Sequence, residues 1–155
     1  MPDEAALLIA DVFEAAGALR RLGEQTAAAE GLTQARWQVL SVASEDPLTV
    51  PQAARRLGVS RQNVQRVAND LVSFGLATYE PNPDHRGSPL LTLTPRGRES
   101  LARVTARAEQ LHRTLFAAIP DEEIHATRTS LRRLLAELDR HGGEAGTRWH
   151  SSATS

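Results

Sequence analysis

The chain of 155 residues contains no cysteine, no lysine and one methionine, and aromatic residues make up only 4% of it. The absence of cysteine excludes disulfide bonds, thiolate metal sites and thiol-based peroxide sensing. No apolar run approaches the roughly 18 residues of a membrane-spanning helix, and the N-terminus does not resemble a signal peptide. We therefore expect a cytoplasmic protein without a membrane partner.

The sequence also lacks the residue patterns of an enzyme. It has no glycine-rich phosphate loop and no nucleophile elbow. Of its five histidines, only His112 and His125 fall on neighbouring predicted helices, where they could in principle share a zinc ion. Because cysteine is absent and no tight spacing of His, Asp and Glu occurs, we interpret both as ordinary surface or interface histidines. We predict no catalytic residue, no metal and no cofactor.

A helix-turn-helix pattern occupies residues 48–76. Thr49, with Gln52 three residues later, predicts a capping box at the start of a short helix. Gly58 predicts a left-handed helix end, and Ser60 predicts the N-cap of a second helix. In that second helix an apolar stripe with the spacing i, i+3, i+4, i+7 predicts a buried face, formed by Val64, Val67, Ala68 and Leu71.

The opposite face of the second helix is polar. Its guanidinium and amide groups suit bidentate contacts with guanine and adenine edges in the major groove of DNA. On a lone helix such side chains would simply be solvated, but here they belong to a capped helix-turn-helix that a hairpin follows. We predict major-groove contacts by Ser60, Arg61, Gln62, Asn63, Gln65 and Arg66, with Asn69 on the same side.

The hairpin, or wing, comprises a β-prone segment at 76–80, a turn-rich segment at 81–87 and a returning segment at 90–93. A long cationic side chain at its tip could enter the narrow minor groove, with a nearby carboxylate holding the guanidinium. We predict DNA contacts by Asp84, His85 and Arg86, and an ordinary surface hairpin is the alternative. Thr94 and Pro95 then predict the start of another helix.

The formal net charge of −1 conceals an uneven distribution. Residues 48–98 carry seven arginines against three acidic residues, a net charge of +4, whereas residues 1–32 carry two arginines against six acidic residues, a net charge of −4. Positive potential is therefore concentrated around the predicted DNA-reading elements.

Helices flank the winged segment on both sides. Apolar residues recur at helical spacing near the N-terminus, and a heptad-like seam follows Pro95 until Pro120 breaks the helix. These stripes could serve an intramolecular core, but the winged segment already has its own, so we favour a two-fold homodimer. Residues 142–155 are predicted to be a disordered tail, in which Trp149 is the candidate anchor.

These segments, over roughly residues 5–140, resemble the MarR family of bacterial winged-helix regulators. The resemblance is carried by Gly31-Leu32-Thr33 before Trp37, by Leu57-Gly58-Val59-Ser60-Arg61, by Gly75-Leu76, by Asp84-x-Arg86 and by Leu93-Thr94-Pro95-Arg96-Gly97. It implies a fold that is mainly α with a small β-hairpin wing. It also implies a homodimeric regulator of a palindromic operator in double-stranded DNA, acting as a repressor that a small phenolic or lipophilic effector releases.

On this basis residues 1–141 are predicted to form a single domain, with the winged helix-turn-helix at 33–94 and dimerisation helices at 3–30 and 95–141. The candidate effector-binding residues are Phe13, Trp37 and His112. We further predict phosphate contacts by Arg36, Thr49, Gln52 and Arg55. A winged-helix protein-interaction module and a constitutive DNA binder are the alternatives, and an enzyme is disfavoured because no cofactor domain accompanies the winged segment.

Overall fold

Six helices and one two-stranded hairpin follow each other in the predicted order. The computed structural model describes Met1 and residues 3–151, with the backbone alone for residues 143–151. The mainly helical winged-helix fold is thereby confirmed. The elements are α1 Glu4–Ala29, α2 Gln34–Glu45, α3 Val50–Leu57, α4 Arg61–Ser73, β1 Ala77–Glu80, β2 Leu90–Leu93, α5 Pro95–Phe116 and α6 Asp121–Ser151.

Side-chain oxygens set the starts of the N-terminal helices. Asp3 accepts a hydrogen bond from the amide of Ala5 at 3.2 Å, and Thr33 accepts one from the amide of Arg36 at 3.1 Å. Between α1 and α2 the chain reverses at Gly31, whose φ of 72° lies in the left-handed region that glycine tolerates best. The segment Gly31-Leu32-Thr33 before Trp37 is thus a tight turn that a capped helix follows.

One hydrophobic core joins α2, α3, α4 and the wing sheet. Its largest fully buried side chains include Leu40 of α2, Leu71 of α4 and Leu91 of β2. The strands pair antiparallel, with Ala77 opposite Leu93 and Glu80 opposite Leu90. Since successive strand residues point to opposite faces, one face of this small sheet is buried and the other stays accessible.

The base of the wing is tied to the segment before α3. The amide of Leu91 donates to the carbonyl oxygen of Leu48 at 2.8 Å, and the two residues form an isolated antiparallel bridge. Both side chains are buried. The wing therefore emerges from the core at a defined position, although its own sheet has only two strands.

Residues up to Leu111 form one compact unit, which contains the winged helix, and residues from His112 onward form a second. In the first unit, the carboxylate of Glu30 links the end of α1 to α5. It accepts hydrogen bonds from Arg107 at 2.9 and 3.0 Å and pairs with Arg103 at 3.4 Å. The Glu30 side chain is only 16% exposed, so this linkage is better shielded than a surface ion pair.

The helix break at Pro120 is confirmed, but the prediction of a disordered tail from residue 142 is wrong for its first part. Helix α6 continues to Ser151. A glycine disfavours a helix by about 1 kcal/mol relative to alanine but leaves the backbone hydrogen bonds possible, so Gly142 does not end α6. Residues 152–155 and the side chain of Trp149 lie outside the described residues. Within the described residues no helix has the length and apolarity to span a membrane.

A close backbone contact joins the winged helix to α5. Thr94 donates from its amide to the carbonyl of Leu76 at 3.1 Å and from its hydroxyl to the carbonyl of Gly75 at 2.7 Å. The same hydroxyl accepts from the amide of Gly97 at 3.1 Å, which confirms the predicted cap. A Cβ at Gly97 would lie 1.9 Å from the carbonyl oxygen of Leu76.

We therefore expect Gly97→Ala to destabilise the fold by roughly 1–3 kcal/mol or more, because the backbone of Leu76 must move to admit a methyl group. Gly142→Ala is the matched control, since nothing lies within 4 Å of a Cβ at that helical position. Thermal unfolding followed by circular dichroism measures both variants. Equal melting temperatures for Gly97→Ala and the parent chain would contradict the close contact.

Candidate nucleic-acid interface

The start of α3 is held by the predicted capping box. The amide of Gln52 donates to the hydroxyl of Thr49 at 3.3 Å, and the amide of Thr49 donates to Oε1 of Gln52 at 2.9 Å. Thr49 is buried, whereas Gln52 and Arg55 are exposed. Two of the predicted phosphate contacts thus have a structural role in shaping the motif, and their contact with DNA stays a prediction.

The turn between α3 and α4 follows the predicted chemistry. Gly58 adopts a φ of 67°, and the amide of Val59 returns to the carbonyl of Ala54 at 3.1 Å. Ser60 accepts a hydrogen bond from the amide of Asn63 at 3.1 Å and so caps α4. Ala54 is buried at the base of this turn, where its small side chain allows α3 and α4 to pack closely.

The two faces of α4 separate as predicted. Val64, Val67, Ala68 and Leu71 are buried, whereas Arg61, Gln62, Gln65, Arg66 and Asn69 are exposed. Among the exposed side chains, Arg66 donates to the amide oxygen of half-buried Asn63 at 2.8 Å. The structure therefore brings the predicted major-groove residues together on one accessible surface, with Ser60 at its N-terminal end.

Tyr79 of β1 joins this surface, and the sequence did not point to it. Its hydroxyl donates to Oδ1 of Asn69 at 2.7 Å and accepts from Nε2 of Gln65 at 2.8 Å. Nε2 of Gln65 also lies 3.0 Å from Oδ1 of Asn69. Partial burial raises the pKa of Tyr79 above its ordinary value of 10.0, and the hydrogen bond from Gln65 opposes that rise. Tyr79 is consequently a protonated donor at neutral pH.

Arg36 is placed differently from the prediction of a phosphate contact. Its guanidinium lies 3.3 Å from the carboxylate of Asp70 and stacks over the ring of Phe74, 4.8 Å from the ring centroid. Both contacts are made within the chain and join α2 to the end of α4. The structure thus gives Arg36 an internal packing role, while its contact with DNA stays a prediction.

The wing tip is organised by Asn82 rather than by the predicted pairing of Asp84 with Arg86. The Asn82 side chain accepts from the amide of Asp84 at 3.0 Å and donates to the carbonyl of Ser88 at 3.0 Å. No ion pair joins Asp84 to Arg86 in the described part of the chain. Both are exposed, together with His85, and exposed ion pairs gain little in competition with water. An Asx turn after Pro81 is the sequence signal that could have identified Asn82.

Two clefts of the first unit are lined in part by residues of the winged helix-turn-helix. One, of about 440 Å³, separates the start of α4 from the wing and is lined in part by Arg61, Gln62, Gln65 and Tyr79. The other, of about 300 Å³, is lined by Glu30, Gly31, Leu32, Arg36, Phe74, Leu76, Arg96, Glu99, Ser100 and Arg103.

The predicted effector residues lie elsewhere. Phe13 is 75% exposed on α1, whereas Trp37 is half-buried against the hydrophobic core. His112 is exposed and belongs to the second unit. None of the three lines either cleft. Within the described residues, no group of three or more His, Asp or Glu side chains could hold a metal ion, and His125 is exposed like His112.

A capped helix-turn-helix with an exposed polar second helix, followed by a hairpin, defines a winged-helix DNA-binding protein. The MarR family model matches residues 30–86. The chain belongs to the MarR family and is a DNA-binding transcriptional regulator.

An uncharacterized protein of Mycobacterium tuberculosis is 61% identical over 138 residues, which cover 89% of this chain and 96% of that protein. The transcriptional activatory protein BadR of Rhodopseudomonas palustris is 34% identical over 104 residues, which cover 63% of this chain and 59% of BadR. Among solved structures, MarR of Staphylococcus aureus in complex with salicylate and kanamycin has a TM-score of 0.79 at 17% identity. That match covers 88% of this chain and 93% of the other, and it supports the fold.

Proposed function

We propose that the protein acts as a homodimeric repressor that binds a palindromic operator and is released by a small phenolic or lipophilic effector. The observation that carries the DNA-reading part is the exposed polar face of α4, placed beside the wing in a segment with a net charge of +4. Side chains of α4 would read base edges in the major groove, and the wing arginine Arg86 would read the minor groove. A constitutive binder without an effector is the second candidate.

The homodimer is supported by apolar side chains that the single chain leaves exposed. Phe13 and Leu19 of α1 are 75% and 55% exposed, and Leu135 and Leu138 of α6 are 52% and 57% exposed. None of residues 121–142, the part of α6 whose side chains the structure describes, is buried. Such helices need another apolar surface to be stable in water, and a second copy of the chain offers the same surfaces under two-fold symmetry.

The effector proposal is supported by the cleft of about 300 Å³ beside the turn between α1 and α2. The charged residues that line it are three arginines, Arg36, Arg96 and Arg103, against two glutamates, Glu30 and Glu99. This excess of positive charge, beside the ring of Phe74, suits an aromatic carboxylate. The S. aureus relative was solved with salicylate, a compound of that class. Trp37, on the same helix as Arg36, and Phe13 and His112 stay further candidates for effector contacts.

The two DNA-reading elements should respond differently to mutation. Arg66→Ala should cost roughly 1–3 kcal/mol on the operator and relax the preference at one base pair, because a base-edge contact is lost. Arg86→Ala should weaken binding to many sequences and reduce the salt slope by about 1, because the minor-groove contact depends on groove width and potential. Binding titrations at several salt concentrations, on an operator and its single-base variants, measure both effects.

Arg128→Ala is the matched control for these titrations, since it removes the same charge from an exposed position of α6. An equal loss of affinity for Arg66→Ala on every sequence would overturn the assignment of α4 to base recognition. Unchanged binding by Arg86→Ala would make the wing an ordinary hairpin.

The parent chain should show twice the monomer mass in light scattering at micromolar concentration. The double variant Phe13→Glu, Leu138→Glu should shift it to the monomer or unfold it, because charges would enter an apolar interface. Glu14→Gln, an exposed change next to Phe13, should leave the dimer intact. A monomeric parent chain would exclude the homodimer, and with it a palindromic operator.

Salicylate and related phenolic or lipophilic acids should raise the melting temperature and weaken operator binding. The two winged segments of a dimer must match DNA half-sites about 34–36 Å apart. A ligand that binds more tightly to a dimer with another spacing therefore lowers the affinity for DNA. Arg103→Gln should reduce both effects, and Arg113→Gln, outside the cleft, should not. If a broad screen of such compounds changes neither quantity, the protein is a constitutive binder.

A further inference from the structure

Three polar side chains from two different elements meet at one point of the DNA-reading surface. Gln65 and Asn69 come from consecutive turns of α4, and Tyr79 comes from β1. Their polar atoms form a nearly equilateral triangle, with sides of 2.8 Å between Gln65 and Tyr79, 3.0 Å between Gln65 and Asn69, and 2.7 Å between Tyr79 and Asn69. We call these three residues the amide–tyrosine triangle.

The triangle orients both amide groups. The Gln65 amide turns its nitrogen toward the two oxygens, which lie close enough together to share one of its hydrogens. The Asn69 amide turns its oxygen inward, where it accepts from the hydroxyl of Tyr79. Because an amide carries its oxygen and nitrogen on opposite arms, the outward-facing groups are the acceptor Oε1 of Gln65 and the donor Nδ2 of Asn69.

We propose that Tyr79 is a specificity-determining residue, which fixes Gln65 as a hydrogen-bond acceptor and Asn69 as a donor toward the major groove. The proposal rests on the proposed role of α4 in reading base edges. An outward acceptor at Gln65 selects the amino group of cytosine or adenine. An outward donor at Asn69 selects guanine O6 or N7, adenine N7 or thymine O4.

This arrangement differs from that of an unrestrained amide. A free glutamine or asparagine presents both arms and makes a bidentate pair with adenine. In the triangle one arm of each amide is already occupied within the protein, so each side chain offers a single outward group. The position of the pair favours contact with bases, because Gln65 and Asn69 are exposed and follow Arg61 at successive intervals of four along the same face of α4.

The hydroxyl of Tyr79 is suited to this role. Its raised pKa keeps the proton on the phenol at neutral pH, so it donates to Asn69 throughout the physiological range. A phenylalanine at this position would retain the ring and its packing but leave both amides free to rotate. The effect of the hydroxyl can therefore be separated from the effect of the side chain as a whole.

The test is selection of binding sites from randomised duplex DNA with the full-length chain, followed by titrations on single-base variants of the selected site. The parent chain, Tyr79→Phe and the control Thr78→Val are compared. Thr78 lies on the same strand, and its hydroxyl bonds to Glu80 rather than to α4. Gln65→Ala and Asn69→Ala identify which base pairs each amide contacts.

Tyr79→Phe should shift the preference at those base pairs toward adenine by roughly tenfold, because the freed amides can pair with it bidentately. Thr78→Val should keep the parent preference, and both variants should melt at the parent temperature. In the Gln65→Ala, Asn69→Ala background, Tyr79→Phe should have no further effect on base preference. That loss of coupling distinguishes orientation of the amides from general support of the wing.

A second readout needs no DNA. The chain has one tyrosine, so its ionisation can be followed by ultraviolet absorbance. Gln65→Leu should raise the pKa of Tyr79 further, because the phenolate loses a donor, while Gln38→Leu, at an exposed position of α2, should not. An unchanged pKa in Gln65→Leu would overturn the inward orientation of the Gln65 nitrogen.

The outcomes separate the two proposals. If the parent chain selects no sequence, the proposed function fails, and the specificity role of Tyr79 fails with it. If the parent chain selects a site and Tyr79→Phe keeps the same preference, or loses affinity equally on all sequences, only the role of Tyr79 is refuted. If the parent chain prefers a base that presents a hydrogen-bond acceptor to Gln65, the amides have the reverse orientation. This result too would refute the proposal.

Discussion

The close approach of Gly97 to the carbonyl of Leu76 determines how the DNA-reading elements are joined to the rest of the chain. At this point the chain leaves α4, enters β1, returns from β2 and begins α5. The hydroxyl of Thr94 serves two backbone groups there, accepting from Gly97 and donating to Gly75. Because no side chain separates the two backbones, the start of α5 follows any movement of the base of the wing.

This junction is held by backbone groups and a single hydroxyl, whereas the proposed DNA-reading surface depends on side chains. Arg61 and Arg86 are exposed and form no ion pair in the described part of the chain. Arg36, Arg103 and Arg107, by contrast, pair with acidic groups inside the first unit. The chain has no lysine, so arginine serves both as an exposed cation and as an ion-pair partner, according to the neighbouring acidic groups.

Features whose partners lie nearby in sequence were predictable. The caps at Thr49 and Ser60 involve residues three positions away, and the left-handed turn at Gly58 is a property of glycine itself. The order of the helices and the hairpin followed from periodicity and turn residues in the same way. The buried stripe of α4 was visible for the same reason, because its spacing is that of one helix face.

Contacts between distant residues were not predictable from one sequence. Tyr79 lies 14 residues from Gln65, and Arg36 lies 34 residues from Asp70, so no local pattern links either pair. In the sequence, Tyr79 was one residue of the β-prone segment at 76–80, and nothing there indicated a contact with α4. The contacts of Arg36 with Asp70 and Phe74 depend on how α2 packs against α4, which no pattern in one sequence shows. The continuation of α6 past Gly142 was missed because glycine weakens a helix without ending it.

On the proposed DNA-reading surface, the amides of Gln65 and Asn69 are hydrogen-bonded within the chain, whereas Arg61 and Arg86 are exposed. The two kinds of side chain suit different parts of DNA binding. Arginine contacts with phosphates supply affinity that depends on salt, and they carry no sequence information directly. Short amides held by a third group cannot adapt, so a wrong base leaves a donor facing a donor or an acceptor facing an acceptor. In this chain the group that holds them belongs to the wing strand. Under the proposed role of α4, base recognition and the position of the wing are coupled through a single hydroxyl. A displacement of the wing would then change which bases α4 accepts.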